Sequence, residues 1–418
     1  MYPWPAGAAG RLKMLNWLKR FNIFCFLESH HYPTAPGRFD LLVGAGSRQQ
    51  LRAGATLPEL EAFAEGRRWA FGHLSFALQE AFFELPPGPA DGVGFAPYSF
   101  FEPEVVLCQE GAALRIEADD PDAVFAALQA APGAVEHQQP PVAMEARMSR
   151  EAYLEAIRAL LGHIHRGDCY EINFCQEFFA HPASFDPWAV YARLSALSPT
   201  PFGGFYRQDD RFLLCASPER FLRKEGQLLT AQPIKGTARR LPDPAADAAL
   251  RDALRASPKE RSENVMVVDL MRNDLSRICT EGSVRVPELF GLYTFPQVHQ
   301  MISTVTGELR PGTGFAAVLE ATFPMGSMTG APKKRVLELI RQYEPSARGL
   351  FSGSIGYFHE GNFDFNVVIR SLLYNATDRY LSYQVGSGIT AYCEPEAEWE
   401  ECLLKATALE RVLKGPEV

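Results

Sequence analysis

Little in this chain could lock it together covalently. Its eight cysteines, Cys25, Cys108, Cys169, Cys175, Cys215, Cys279, Cys393 and Cys402, include no C-x-x-C pair and sit mostly inside apolar runs. Neither a disulfide framework nor a zinc site is indicated, and a reducing, cytoplasmic setting is the simplest expectation. Histidines are also few; His163 and His165 stand two apart on a helical stretch and point to different faces, which argues against a transition-metal site. Positive charge is in deficit, with a formal net charge of −9 and only one small "ARR" cluster, so the clustered Lys and Arg that nucleic-acid binding needs are missing. No run approaches the roughly 20 apolar residues that span a bilayer, so no membrane partner is expected. The stretch "FNIFCFL", preceded by Lys13, Lys19 and Arg20, imitates a leader peptide, but it is too short, is stopped by Glu28 and has no small-residue cleavage site behind it. A buried strand is the better reading.

What is present is an ordinary globular composition, 47% hydrophobic and 22% charged over 418 residues, expected to fold nearly throughout. Residues 1–16 read as a flexible extension and 17–130 as an N-terminal subdomain. Residues 131–147, opening with "APGAVEHQQPPVAMEA", read as a linker before a longer region, 148–412. Ser149 can cap a helix carrying Tyr153, Ile157, Leu161 and Ile164 on one face. In "CYEINFCQEFF" the alternation of a strand puts Glu171 and Asn173 on the face opposite the aromatic residues. Residues 211–237 read as a hairpin turning at Glu225-Gly226, with Glu219 and Lys235 near the same end. A helix over 247–275, strands near 284–309, a helix from 332, strands near 352–358, 364–374 and 380–386, and a last helix from about 396 complete the pass. Strands and helices mix without a regular βαβ rhythm, which favours an α+β fold.

Two helical stretches carry acidic faces: Glu260 and Glu263 with Val267 and Leu270, and Glu398 and Glu401 with Lys405. Each is read first as a solvated face, although together they could clamp a hard divalent cation. "FPMGSMTGAPKKR" is a Gly-rich loop entering a helix, a place that suits an anion, but its spacing is not that of a Walker loop. "GSGITA" matches G-x-G-x-x-A, yet Pro395 soon follows and no helix starts where a pyrophosphate would need one; a run of backbone N–H groups holding a carboxylate is the reading kept. His299, alone in "FPQVHQMIS", is by default a half-buried histidine.

The ordered blocks "GDCYEINF", "SPERF", "PIKGT", "SENVMVVDLMRNDL", "FPMGSMTGAPKKR", "GLFSGSIGY", "VGSGI" and "PEAEWEECLLKA" resemble the chorismate-utilising enzyme family over roughly 148–412; residues 20–130 match only weakly. The resemblance implies two large antiparallel sheets packed together with helices outside and a buried site between them. It implies Mg²⁺ held by Glu263 and Glu401 with Glu260 nearby. It further implies chorismate held by Arg370, Lys405 and the 386–388 loop (Gly386, Ser387, Gly388), with Ser327, Thr329, Gly330, Thr237 and His299 lining the pocket. Lys235 stands where C2-aminating and water-adding members usually carry Ala and C4-aminating members carry Lys. The resemblance therefore casts Lys235 as a nucleophile at C2 and Glu219 as the acid for the departing C4 hydroxyl. Burial is expected to desolvate the lysine and lower its proton affinity. No glutaminase elbow is present in the sequence, so ammonia would come from a glutaminase partner. A C2-aminating synthase and a non-catalytic binder of aromatic carboxylates stay open as alternatives. Glu171 stands where water-adding members carry a lysine base. The stretches "FLES" (26–29) and "SPTPF" (198–202) resemble a tryptophan pocket in which Ser198 replaces Asn, and no effective inhibition by tryptophan is expected.

Overall fold

The structure is a computed structural model, and it describes residues 1–5, 7–30, 32, 39–134, 139–295 and 298–415. Among these, two antiparallel sheets dominate, one of 12 strands and one of 10. Period-two alternation explains how the larger sheet can be covered on both faces. In strand Ile23–Glu28, Ile23 and Cys25 turn toward the smaller sheet while Phe24 and Phe26 turn toward the helices; in Arg211–Ser217, Leu213 and Cys215 divide from Phe212, Leu214 and Ala216 in the same way. Five of the cysteines, Cys25, Cys108, Cys175, Cys215 and Cys279, belong to the core cluster that includes the space between the sheets, and all are free. The sheets meet closely enough that a Cβ on Gly44 would lie 2.5 Å from the Phe71 ring, and one on Gly204 2.7 Å from Ile355. Two large sheets with helices outside were expected, and this is the architecture.

Several local expectations are corrected. Residues 1–16 are no loose extension: Tyr2–Pro3 pairs with Ala113–Glu117, and helix Ala8–Leu18 buries Met14, Leu15, Trp17 and Leu18. Strands from 17–130 and from 148–412 lie side by side in both sheets, so the expected division does not separate two cores. Part of the expected linker, 135–138, lies outside the described residues, while Glu145–Ala146 pairs with Phe178 and Phe179. The helix expected over 247–275 is two, Pro244–Ala256 and Pro258–Ser276, because Pro258 cannot continue the first and Ser257 caps the second, its hydroxyl accepting from the Glu260 N–H at 3.3 Å.

Candidate active site

The site forms where the chain passes between the sheets. The expected hairpin over 211–237 pairs only in its outer half, Arg220–Glu225 against Leu228–Gln232. Arg211–Ser217 belongs to the other sheet, so Pro218 and Glu219 make a crossover. The single strand expected over 364–374 is likewise two, Asn362–Asn366 in the smaller sheet and Ser371–Asn375 in the larger, joined through 367–370. The crossovers bond to each other: the Val367 N–H donates to Glu219 O at 3.0 Å and the Ala216 N–H to Arg370 O at 3.1 Å. Arg370 has φ 52°, a left-handed conformation that costs a residue other than glycine roughly 1–3 kcal/mol. Beside these crossovers lies a cavity of about 620 Å³, lined among others by Glu219, Lys235, Glu263, Ser327, Arg370 and Lys405.

Lys235 lies in strand Ile234–Arg239, which pairs with Val298–Glu308 rather than with residue 216. Its partner is Glu171, not Glu219: Lys235 Nζ stands 2.5 Å from Glu171 Oε1, with Glu171 buried and the Lys235 side chain 10% exposed. The strand register explains the fit. Glu171–Ala180 pairs with Tyr380–Thr390, Asn173 opposite Gly388 and Cys175 opposite Gly386. Glycines at 386 and 388 thus leave the space above Glu171 and Asn173 open, and a Cβ on Gly388 would come within 2.9 Å of Lys235 Nζ and 3.0 Å of Glu171 Oε1. Burial pulls the lysine's proton affinity down, as expected from sequence, but the Glu171, Glu263 and Glu219 carboxylates outweigh it and hold the ammonium charged. The expectation of a lowered affinity is therefore reversed in sign. Burial pushes the Glu219 carboxyl up to about 7, against the Ser327 hydroxyl and Lys235, which pull it down. It remains substantially protonated near neutral pH.

Glu263 links the pair of Lys235 and Glu171 to a second group of charges: helices Pro258–Ser276 and Pro395–Leu413 bring Glu260, Glu263, Glu398 and Glu401 together with Lys259 and Lys405. Burial raises Glu263 to about 7, and burial and then Glu401 raise Glu260. Burial also acts upward on Glu401, but Lys405, Lys259 and Lys235 outweigh it and bring that carboxyl down to about 2. Lys405 is held by Glu401 at 2.8 Å and donates to Gly386 O at 2.9 Å. Arg370 lines the cavity; burial lowers its proton affinity against the pull of Glu401, and its guanidinium makes no ion pair or hydrogen bond among the described residues.

Thr237, Glu260, Gly386 and Gly388 also reach the cavity wall. Four expected residues do not. His299 is buried with both ring nitrogens engaged, Nδ1 with Thr294 Oγ1 and Nε2 with Asp247 Oδ1, each at 3.0 Å. Strand alternation puts its neighbour Gln300 on the cavity face instead, with Oε1 buried and unpartnered. Ser387 lies in a strand, not a loop, and its side chain turns to the helical face between Val385 and Ile389. Thr329 and Gly330 extend the sheet: Thr329 O accepts from the Asn173 N–H at 2.7 Å, the Thr329 hydroxyl donates to Met325 O at 2.9 Å, and Gly330 pairs with Ile172. The Gly-rich loop thus spends its backbone on a strand edge. Glu171 is the principal residue missed as a member of the site; its strand periodicity, facing away from the aromatic residues, was the available signal.

Residues 35–411 match the family model described as chorismate binding enzyme, and the chain belongs to that family. Within it, the chain is 44% identical over 301 residues to aminodeoxychorismate synthase component 1 of Klebsiella aerogenes, covering 70% of this chain and 64% of that protein. It is 41% identical over 274 residues to the protein of the same name from Escherichia coli K12, covering 65% and 59%. The chain thus spans about three fifths of the length of these relatives. An anthranilate synthase component I-like protein of Synechocystis is 35% identical over 367 residues, covering 86% of this chain and 75% of that one. The fold matches anthranilate synthase component I from Streptococcus pneumoniae with a TM-score of 0.77 at 23% identity, covering 94% and 91% of the two chains. No helix among the described residues is long and apolar enough to cross a membrane.

Proposed function

We propose that this protein aminates chorismate at C4, giving 4-amino-4-deoxychorismate on the route to 4-aminobenzoate, with ammonia delivered by a glutaminase partner. The observation that carries the reading is a buried lysine amine and a carboxyl held near neutral proton affinity on the wall of one cavity, Lys235 and Glu219. The names of the Klebsiella and Escherichia relatives support it.

Glu171 takes the proton from Lys235 Nζ across their 2.5 Å contact, freeing a lone pair. Nζ then bonds to C2 as the ring double bonds shift and the C4–O bond breaks, the leaving hydroxyl departing as water with the proton of Glu219. Ammonia bonds at C4 as the C2–Nζ bond breaks. The new C4 ammonium returns a proton to Glu219, and Lys235 recovers its own from Glu171. Arg370 and Lys405 hold the substrate carboxylates. Thr237 and Ser327 line the pocket, and the backbone of Gly386 and Gly388 gives the close approach.

Glu263 and Glu401, with Glu260 and Glu398 beside them, fit Mg²⁺: Glu263 Oε1 and Glu398 Oε2 are buried carboxylate oxygens without a hydrogen-bond partner. No group of three metal-ligating side chains converges among the described residues, and Mg²⁺, which takes one or two carboxylates plus water and substrate oxygens, requires none. Mg²⁺ bound there supplies positioning and charge neutralisation at a substrate carboxylate. Incubation with chorismate, Mg²⁺ and an ammonium salt should yield 4-amino-4-deoxychorismate. Anthranilate would establish C2 amination instead, and unchanged chorismate with retained binding would point to a non-catalytic protein.

A further inference from the structure

Lys259 is the second residue of helix Pro258–Ser276, in the first turn, where the helix dipole disfavours a cation. Its ammonium is nevertheless surrounded by acid: Nζ lies 3.0 Å from Glu398 Oε1, 3.8 Å from Glu401 Oε2 and 3.9 Å from Glu263 Oε1. These carboxylates come from two helices, and one point in space is within 4 Å of an oxygen from each of the three. Glu398 is 1% exposed and Glu263 8% exposed, and a buried carboxylate left without a countercharge is costly. Lys259 itself is about two-fifths exposed on a four-carbon stem, so its head can leave for solvent without disturbing the helix.

We propose that Lys259 is a built-in competitor for the divalent cation: its ammonium satisfies the carboxylates that would bind Mg²⁺ and is displaced toward solvent when the ion enters. This rests on the metal reading given under Proposed function. The physical reason is mutual exclusion. A cation held by Glu263 and Glu401 would share their carboxylates with an ammonium of like charge that stands less than 4 Å from an oxygen of each. Lys259 thereby sets how tightly the site holds its ion, weakening a cluster that would otherwise retain the metal between turnovers. It touches neither of the proposed reacting groups, Lys235 and Glu219, and acts only through the carboxylates.

The test is direct binding of Mn²⁺, followed by electron paramagnetic resonance of the free ion and by displacement with Mg²⁺, for the full chain and its Lys259→Gln and Lys259→Arg variants. Lys259→Gln should bind about 3- to 30-fold tighter, and Lys259→Arg, which keeps the charge, should stay within about 2-fold of the parent. Amine-directed acetylation read by peptide mass spectrometry should rise severalfold at Lys259 on adding Mg²⁺, with the other lysines away from the cavity as internal controls. Equal or weaker binding by Lys259→Gln, with the parent binding normally, overturns the inference and leaves the metal reading standing. No Mn²⁺ binding by any of the three proteins overturns both, and Mn²⁺ binding that appears only in Lys259→Gln supports the competition outright.

Discussion

The two ends of the charged cluster, Lys235 with Glu171 and Lys259 with Glu398, meet the problem of buried charge in different ways, and Glu263 stands between them. At the Lys235 end, Glu171 already sits 2.5 Å from the ammonium, and burial raises the Glu219 carboxyl to about 7. At the Lys259 end, four carboxylates share Lys259 and Lys405, and two buried carboxylate oxygens, Glu263 Oε1 and Glu398 Oε2, accept no hydrogen bond. One end is complete without a ligand and can hold or move a proton at a named atom; the other lacks positive charge and is shaped to import it. An unpaired buried ion costs several kcal/mol, so on the proposed reading this difference separates the reacting pair from the carboxylates that would take a cation.

The largest expected effect comes from breaking the complete end. Lys235→Ala should reduce C4 amination by at least about 10³-fold, each tenfold being about 1.4 kcal/mol of barrier. It should also lower the melting temperature, because Glu171 is left buried without its partner. Adding Glu171→Gln should recover stability but not activity. A double variant no more stable than the single one would show that Glu171 does not depend on Lys235. Next, Glu219→Gln should cost about 10²- to 10⁴-fold in turnover, the usual range for a lost general acid. At the cation-short end, Glu263→Gln or Glu401→Gln should lower turnover about 10²-fold at low Mg²⁺, partly restored as Mg²⁺ rises. Full activity of either at low Mg²⁺ would erase the proposed difference between the ends.

A smaller effect concerns pH. The folded-state value for Glu219, about 7, lies above the ordinary glutamate value of 4.5. Stability from this group is therefore fully present below about pH 4.5 and is lost as pH rises through about 7, with turnover falling on the same limb. In Glu219→Gln the decline in melting temperature between pH 5 and 8 should be shallower; an unchanged slope would place the titration elsewhere. The smallest effect is expected from tryptophan. The cavity under "FLES" and "SPTPF", about 70 Å³ and lined by Leu27, Glu28, Pro201 and Phe202, is small beside the main one. Micromolar tryptophan should leave the rate unchanged, and potent inhibition would contradict that.

Much of this was legible in local pattern. The α+β class, the capped helix after Ser149, the acidic faces of two helices and the company of Glu219 and Lys235 all follow from periodicity and turn residues that act over a few positions. What was not legible depends on contacts between distant segments. Whether a strand stays in one sheet or crosses to the other is decided by the partner it meets, so the breaks at Pro218 and at 367–370 read as continuous strands. Strand register likewise decided that Gln300 rather than His299 faces the cavity, since a shift of one residue reverses every side chain. Glu171 was visible as a face of a strand, but its pairing with Lys235 joins residues 64 positions apart, and no local rule reports that. The sign of the lysine's shift was lost for the same reason: burial can be read from a sequence pattern, whereas the three carboxylates around Nζ are brought by three separate segments.

The most direct test of the central claim is mass spectrometry of the enzyme quenched during turnover with chorismate and Mg²⁺, with ammonia withheld. The expected result is a covalent adduct on the peptide carrying Lys235, absent from Lys235→Ala and slower to form in Glu219→Gln. No adduct on that peptide, together with an unchanged rate of 4-amino-4-deoxychorismate formation by Lys235→Ala when ammonia is supplied, would reduce Lys235 to a charged wall of the cavity and contradict the mechanism.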